Sequence, residues 1–426
     1  MFMFAIFIAL VAMVCINVPI AIALALAAVL AIGLTDGAGA LVTIALDMYS
    51  GAKSFSLIAI PMFVLAGAIM NATGITRRLI AFVSAIIGFV RGGLAMVNVG
   101  VSLFFAEISG SAVADVAAMG SIIIPEMKRR GYPAPFAAAI TSSSASLAII
   151  IPPSIPMILY GVSSGASIEQ LFVAGVVPGL LGAAGLMGVA YYYAVKYDWP
   201  TEDAFNLPAL RATFIDALPT FSLPVIILGG IFGGFMTATE AAGIAVVAAI
   251  LVGAWYREVD WRQLKEAMLE GGMQTAVVML LVATSVLMGS FLTTARVPQD
   301  IAAAILDLTS NQYFILLILN VFFLVIGFFL HSAAAIILVV PIITPLIQQA
   351  GIDPVHFGLV VTLNLAIGQQ TPPVASVLIT ACSIAKANIW EVTKWNLPLI
   401  GVLLFVLIIS TYVPAIPMFL VEYFYR

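Results

Sequence analysis

Charge is what this sequence has least of. Of its 426 residues only 8% are Asp, Glu, Lys or Arg, whereas 63% are hydrophobic, and that balance excludes a water-soluble globule. The formal net charge of −4 is spread thinly and offers nothing to nucleic acid. Cysteine is scarce too. Cys15 and Cys382 lie far apart in apolar stretches, which gives little support to a disulfide or a metal site and leaves both as packing residues. Histidine occurs only as His331 and His356, and the chain has no HExxH, no Gly-x-Ser-x-Gly and no phosphate-binding loop. Direct use of ATP is thereby excluded, and no enzymatic activity is expected. The N-terminus has no charged n-region and no small-residue cleavage site after a short apolar core, so it reads as a first membrane helix rather than a removable signal.

Apolar runs, by contrast, recur from residues 2–34 to residues 395–424, at lengths that cross roughly 30 Å of hydrocarbon. A membrane barrel would show segments of about ten alternating residues. Continuous runs instead call for helices, which satisfy their own backbone hydrogen bonds in lipid. The expectation is an all-α polytopic membrane protein surrounded by membrane lipid.

One polar interval interrupts the chain at residues 195–219. There Trp199, Phe205, Leu207, Leu210 and Phe214 alternate with the charged Glu202, Asp203, Arg211 and Asp216, which fits either an interfacial helix or a simple connector. The halves on either side share landmarks. At a constant offset of 220 residues Pro125 meets Pro345, Gly131 meets Gly351, Pro152 and Pro153 meet Pro372 and Pro373, and Pro178 meets Pro398. At an offset of 222, Gly67 meets Gly289 and Asn98 meets Asn320. This register is an internal duplication. It divides the chain into a first membrane repeat at 1–195, an interfacial connector or arm helix at 196–218 and a second repeat at 219–426.

The basic residues change places between the halves. Lys128, Arg129 and Arg130 follow the first landmark, whereas "PLIQQAGIDP" has none; Lys386 and Lys394 fall opposite Ala166 and Ala174. Positive-inside bias then puts corresponding points on opposite membrane faces, the mark of an inverted-topology repeat. Arg296 runs against the pattern.

Between Arg91 and Lys128 lie about 36 residues, broken near the middle by "AEISGSAVAD". Two full spans fit there only tightly, so a re-entrant helical hairpin over about 92–128, turning at Ser109, Gly110 and Ser111, fits better. Its counterpart over about 312–349 turns around "FLHSAAA" and should enter from the other face. Each hairpin is followed by a helix interrupted at two prolines: "SSSASLAIIIPPS" within about 133–165, and "NLAIGQQTPPVAS" within about 353–385. Proline lacks an N–H and clashes with the carbonyl four residues back, so each pair frees carbonyls. Carbonyl and hydroxyl oxygens suit a hard cation such as sodium, and broken helices meeting near the membrane midplane are where transporters hold one. A single proline pair alone would read as a packing kink; its duplication, with Ser and Thr alongside, favours the ion site.

The stretches "AEISGSAVADVAAMGSIIIPEMKRRGYPAPFAAAITSSSASLAIIIPPSIPMILYG" and "GQQTPPVASVL" resemble the large membrane subunit of TRAP transporters, the tripartite ATP-independent periplasmic carriers within the ion transporter superfamily. The likeness spans essentially the whole chain. It implies a sodium-driven elevator in the bacterial inner membrane, with a fixed scaffold and a moving transport region. It also implies a small four-helix membrane subunit and a periplasmic binding protein that delivers an organic acid such as a sialic acid or a C4-dicarboxylate. A proton-coupled carboxylate carrier or exporter of the same superfamily, working without a binding protein, is the alternative.

By the same resemblance Ser109, Gly110 and Ser111, with Asp115 behind them and Pro152, Pro153 and Ser154 opposite, form one sodium site and border the substrate. His331, Ser332, Gly368, Thr371, Pro372 and Pro373 form the second. Ser142 and Ser144 are further substrate candidates, beside Ser109, Ser111 and Ser154. No cofactor other than sodium is implied. The chain departs from the family pattern at His331, usually acidic, at Ala375, usually glycine, and at Ala148 to Ile150, usually richer in Gly and Pro.

Glu107, Asp115 and Glu240 lie in or near apolar segments, where an ionisable group is costly and a functional role is the default. Each could instead be protonated, or paired with Arg91 or Lys53. The run Tyr191 to Tyr193 reads as an interfacial aromatic belt. A channel would also use carbonyl-lined breaks but closes its pore with several chains, whereas one chain with an inverted repeat supplies alternating access by itself.

Overall fold

The computed structural model describes the chain except for residues 1–5, 7, 11, 14, 15, 17, 36, 200, 202–204 and 373, and except for the side chains of 38, 107–109, 263 and 270. Cys15, Glu202, Asp203 and Pro373, and the side chains of Glu107 and Ser109, therefore lie outside the described residues.

In chain order the helices are Ile20–Thr35 (α1), Ile44–Ala52 (α2), Ala59–Ala72 (α3), Ile75–Ile87 (α4), Gly93–Ser109 (α5), Ala112–Arg129 (α6), Ala134–Ala145 (α7), Ile155–Ser164 (α8) and Ile168–Lys196 (α9). After the polar interval come Leu207–Phe232 (α10), Ala238–Trp255 (α11), Trp261–Thr294 (α12) and Val297–Leu308 (α13). Gln312–Phe329 (α14), Ser332–Gln349 (α15), Pro354–Gly368 (α16), Ser376–Ala385 (α17), Ile389–Tyr412 (α18) and Ala415–Tyr425 (α19) complete the chain. Among the described residues no β-strand forms, and eight helices are long and apolar enough to cross a membrane.

Polar residues stand at many helix starts. Ser167, Asn206, Asp260, Asn311, Asp353 and Asn388 each accept a hydrogen bond from a backbone N–H in the first turn of the following helix, satisfying donors that a helix start leaves orphaned. Asn206 starts α10, which then runs unbroken through Pro219 and Pro224. The boundary drawn from sequence at 218/219 thus falls inside one helix that carries the polar interval directly into an apolar segment.

Two groups of helices pack among themselves. In one, α12 lies against α1, α2 and α3, α11 against α3, and α10 against α4 and α11. In the other, α5 and α6 pack on α7, and α14 packs on α16. This second group is interlocked across the halves. The helix after the first turn, α6, packs on α17, while the helix after the second turn, α15, packs on α8; likewise α7 packs on α18 and α16 on α9. The matched helices α6 and α15 each have 18 residues.

At the centre lie α7 and α16. Every residue from Phe136 to Ala145 and from Val355 to Gly368 is buried, so neither helix has a lipid-facing side. A cluster of rings closes one end of this group. Trp199 stacks with Tyr197 and meets Tyr132, Phe136 and Trp395 at centroid distances of 4.5–6.5 Å. Of the three consecutive tyrosines, Tyr191 and Tyr192 are exposed and Tyr193 is buried against Trp395.

Candidate functional site

Both buried helices end shortly before their prolines, α7 at Ala145 and α16 at Gly368. After α7 the chain tightens into a short 3-10 turn, Ser146–Ile149, and the N–H groups of Ile150 and Ile151 both bond to the Leu147 carbonyl. Pro152 and Pro153 supply no donors. Ser154 then restarts the helix. Its Oγ donates to the Ile149 carbonyl at 2.7 Å and lies 3.4 Å from the Met157 N–H as the cap of α8. One of the carbonyls freed by the break is thus taken up by Ser154, while that of Ile150 faces Gly175 of α9, where any Cβ would strike it.

The first turn sits on this break. Gly110 ends α5 with φ +57, and a Cβ there would lie 3.0 Å from the Pro153 carbonyl oxygen and 3.1 Å from the Ile155 nitrogen. Glycine is needed for both reasons, the left-handed backbone and the close approach. Ser111 is the N-cap residue of α6, and Asp115 lies in its first turn, 1% exposed, where the N-terminal end of a helix favours a carboxylate.

The second turn meets the second break in the same way. Gly327, near the end of α14, approaches Gly368, the last residue of α16, and the Val374 N–H donates to the Phe328 carbonyl at 3.3 Å. Thr371 Oγ1 donates to the Ile367 carbonyl at 3.0 Å. His331 stands at the N-cap position of α15, without a side-chain capping bond, and is exposed, with Ser332 buried beside it. Ala375 takes the left-handed conformation, φ 41, that opens α17.

Each turn is therefore brought to the break of its own half. Gly110 lies against Pro153 and Ile155, while Gly327 and Phe328, just before the turn at His331, lie against Gly368 and Val374. The serine candidates are deeper. Ser142, Ser144 and Ser154 are all fully buried; Ser144 donates to Asn98 Oδ1 at 3.3 Å, and Ser142 Oγ has no hydrogen-bond partner among the described residues.

Sequence reasoning did not single out the amide side chains that hold this region. Asn98 donates to Thr141 at 2.6 Å. Asn364, 220 residues beyond Ser144, donates to Asn320 at 2.6 Å, and Asn320 in turn donates to Thr411. The signal was present in the matched pair Asn98 and Asn320, amides set in the interior of largely apolar helices.

Glu240 has a different place from the one considered for it. It is exposed and closes a capping box, its carboxylate accepting from the Thr237 N–H at 2.8 Å while Thr237 Oγ1 caps the Glu240 N–H. Arg91 pairs with Asp198 at 3.4 Å rather than with an intramembrane carboxylate.

A multi-span bundle with interrupted helices buried at its core and a tight turn on each break belongs to the class of membrane transport proteins. Comparison with known proteins agrees. The family model described as "Tripartite ATP-independent periplasmic transporter, DctM component" matches residues 7–416, and the chain belongs to that family of transporter permeases, which is not enzymatic. Relatives include the isethionate TRAP transporter permease protein DctMQ of Oleidesulfovibrio alaskensis, 43% identical over 373 residues. That match covers 87% of this chain and 59% of the relative's length. The C4-dicarboxylate TRAP transporter large permease protein DctM of Pseudomonas aeruginosa is 39% identical, covering 88% of each chain. The sialic acid TRAP transporter large permease protein SiaM of Vibrio cholerae is 35% identical over 89% of each. The crystal structure of the Alcanivorax borkumensis YdaH transporter shares the fold, with a TM-score of 0.65, 14% identity and 88% coverage of both chains.

Proposed function

We propose that this large permease subunit imports an organic acid across the bacterial inner membrane, driven by a sodium gradient. The observation that carries the reading is the seating of each hairpin turn on the proline break of its own half, Gly110 on Pro153 and Ile155, and Gly327 on Gly368. Each seat joins backbone carbonyls with nearby hydroxyls, the oxygen ligands a sodium ion takes without a full negative charge. One site draws on Ser109, Gly110, Ser111, Asp115, Pro152, Pro153 and Ser154, the other on His331, Ser332, Gly368, Thr371, Pro372 and Pro373. Substrate binds between them, against Ser109, Ser111 and Ser154 and, deeper, Ser142 and Ser144.

The interlocking of α6 with α17 and of α15 with α8 supports an inverted repeat whose second packing group moves as one body against the group built on α10–α12, an elevator. The family supports two partners, a small membrane subunit and a periplasmic binding protein. The substrates named for the relatives, isethionate, C4-dicarboxylates and sialic acid, favour an acid.

The test is uptake into proteoliposomes holding this chain with both partners, across a panel of organic acids, with and without an inward sodium gradient. Uptake that requires sodium and falls in Ser111→Ala and Thr371→Ala supports the reading. Uptake that ignores sodium and follows a proton gradient overturns it in favour of a proton-coupled carrier, for which the buried Asp115 at the first turn and His331 at the second are the candidates.

A further inference from the structure

The two packing groups are joined at both ends of α10, and in different ways. At its first residues the joint is covalent. The chain crosses between the groups at residues 88–92, from α4 to α5, and again at 197–206, from α9 to α10. These crossings are tied to one another: Arg91 pairs with Asp198 at 3.4 Å and forms an antiparallel bridge with Thr201, and the rings of Phe89 and Phe205 stand 5.3 Å apart. Trp199, in the second crossing, is 6% exposed and fixed among the rings of the second group.

At the other end of α10, about 39 Å along a helix rising 1.5 Å per residue, the joint is not covalent. There α19 lies on α9 and so belongs to the second group. It turns Pro417, Met418 and Val421 inward, and its tip reaches across to α10. Tyr425 Oη donates to the Ile231 carbonyl at 3.3 Å, and the rings of Phe424 and Phe232 stand 6.3 Å apart. Both contacts are light. The Ile231 carbonyl already accepts from the Gly234 N–H at 3.1 Å, so letting go of Tyr425 leaves no orphaned acceptor behind. The rings sit toward the outer limit of the range in which aromatic pairs attract.

What aims the tip lies on its own side. Arg426 Nη2 meets Asp353 Oδ2 at 2.6 Å, while Asp353 Oδ1 accepts from the Val355 and His356 N–H groups that open α16. One carboxylate thus starts the second buried helix and holds the tip of α19. We infer that this tip is a latch: Phe424 and Tyr425 grip the end of α10, Arg426 on Asp353 aims them, and release of the grip lets the second group move. The inference rests on the reading of that group as a moving body. In the arrangement described here the latch is closed, and it weights the equilibrium toward this arrangement without forbidding the other. It stands apart from the hairpin turns and the proline breaks.

The test is the distance between spin labels on Phe235→Cys, exposed just beyond α10, and Gln348→Cys, exposed near the end of α15. It is read in the purified full chain in lipid nanodiscs, with Cys15→Ala and Cys382→Ala. The closed latch should give a major distance and a minor one, and Tyr425→Phe with Arg426→Gln should raise the ratio of minor to major about fivefold. Asp353→Asn keeps a residue able to cap α16 but loses the ion pair. It should act as Arg426→Gln does, and the two together should do no more than either alone. Arg426→Lys, which keeps the charge, should stay within about twofold of the unaltered ratio. Should one of these variants not fold, the other side of the ion pair gives the same reading. Two distances whose ratio no variant changes overturn the latch and spare the moving body. One distance in every sample, with and without sodium, overturns both.

Discussion

Gly327 of α14 and Gly368 of α16 meet backbone to backbone: a Cβ on Gly368 would lie 2.6 Å from the Gly327 carbonyl carbon and 2.9 Å from its oxygen. The reverse approach is looser, since a Cβ on Gly327 would lie 3.1 Å from Gly368 Cα. Gly368→Ala must push two main chains apart and should cost about 1–3 kcal/mol, with Gly327→Ala costing less. Thermal melts of the two variants in detergent check the order. Because the contact seats the second turn on its break, Gly368→Ala should also weaken the uptake proposed above.

Ser142→Ala removes a buried hydroxyl with no hydrogen-bond partner among the described residues. Relieving such a group should leave stability unchanged or raise it by up to about 1 kcal/mol. The same melts check this, and a rise in KM for uptake alongside unchanged stability would assign the hydroxyl to substrate.

Glu258, in the loop after α11, accepts from Arg78 at 3.0 Å, and Arg77 adds a second ion pair at 3.2 Å. The hydrogen bond from Arg78 is the main reason that its carboxyl is held below the ordinary value of 4.5. A carboxylate with a lowered folded pKa stabilises the protein above its unfolded pKa and loses that contribution as pH falls through the folded one. Glu258→Gln should therefore destabilise by about 1 kcal/mol at neutral pH. The gap from the unaltered protein should close as pH is brought down below the ordinary carboxylate value, in melts run across that range.

The box between Thr237 and Glu240 makes these residues structural. Thr237→Ala should lower stability by about 1 kcal/mol, whereas Glu240→Gln should leave the sodium dependence of uptake unaltered. Uptake curves against sodium concentration for both variants check the assignment.

The membrane class and the helical build were legible because they follow from composition, and the breaks at Pro152 and Pro372 because a missing N–H belongs to the residue itself. The turn at Gly110 was legible for a similar reason: few residues besides glycine accept its backbone. Other features depend on what lies opposite in space. Nothing in the local sequence of Ser143 distinguishes it from Ser142 and Ser144, yet it is the serine that meets Gln370 and Asn396, 227 and 253 residues away. The place of Glu240 stayed open between function and structure because hydropathy registers an apolar neighbourhood but not a helix start. The course of α10 through Pro219 escaped notice because proline in a helix can be accommodated by its surroundings.

The crossed packing of α6 on α17 and of α15 on α8 has a consequence for how the chain is made. Lys128, at the end of α6, donates to the carbonyl of Ala385, 257 residues later, so the first hairpin leaves the ribosome long before the helix that completes it. Contacts of such sequence separation form slowly and leave unfinished surfaces exposed meanwhile. Neither half can reach its final packing alone. The first must wait in the membrane, with the buried face of α7 uncovered, until synthesis is nearly finished.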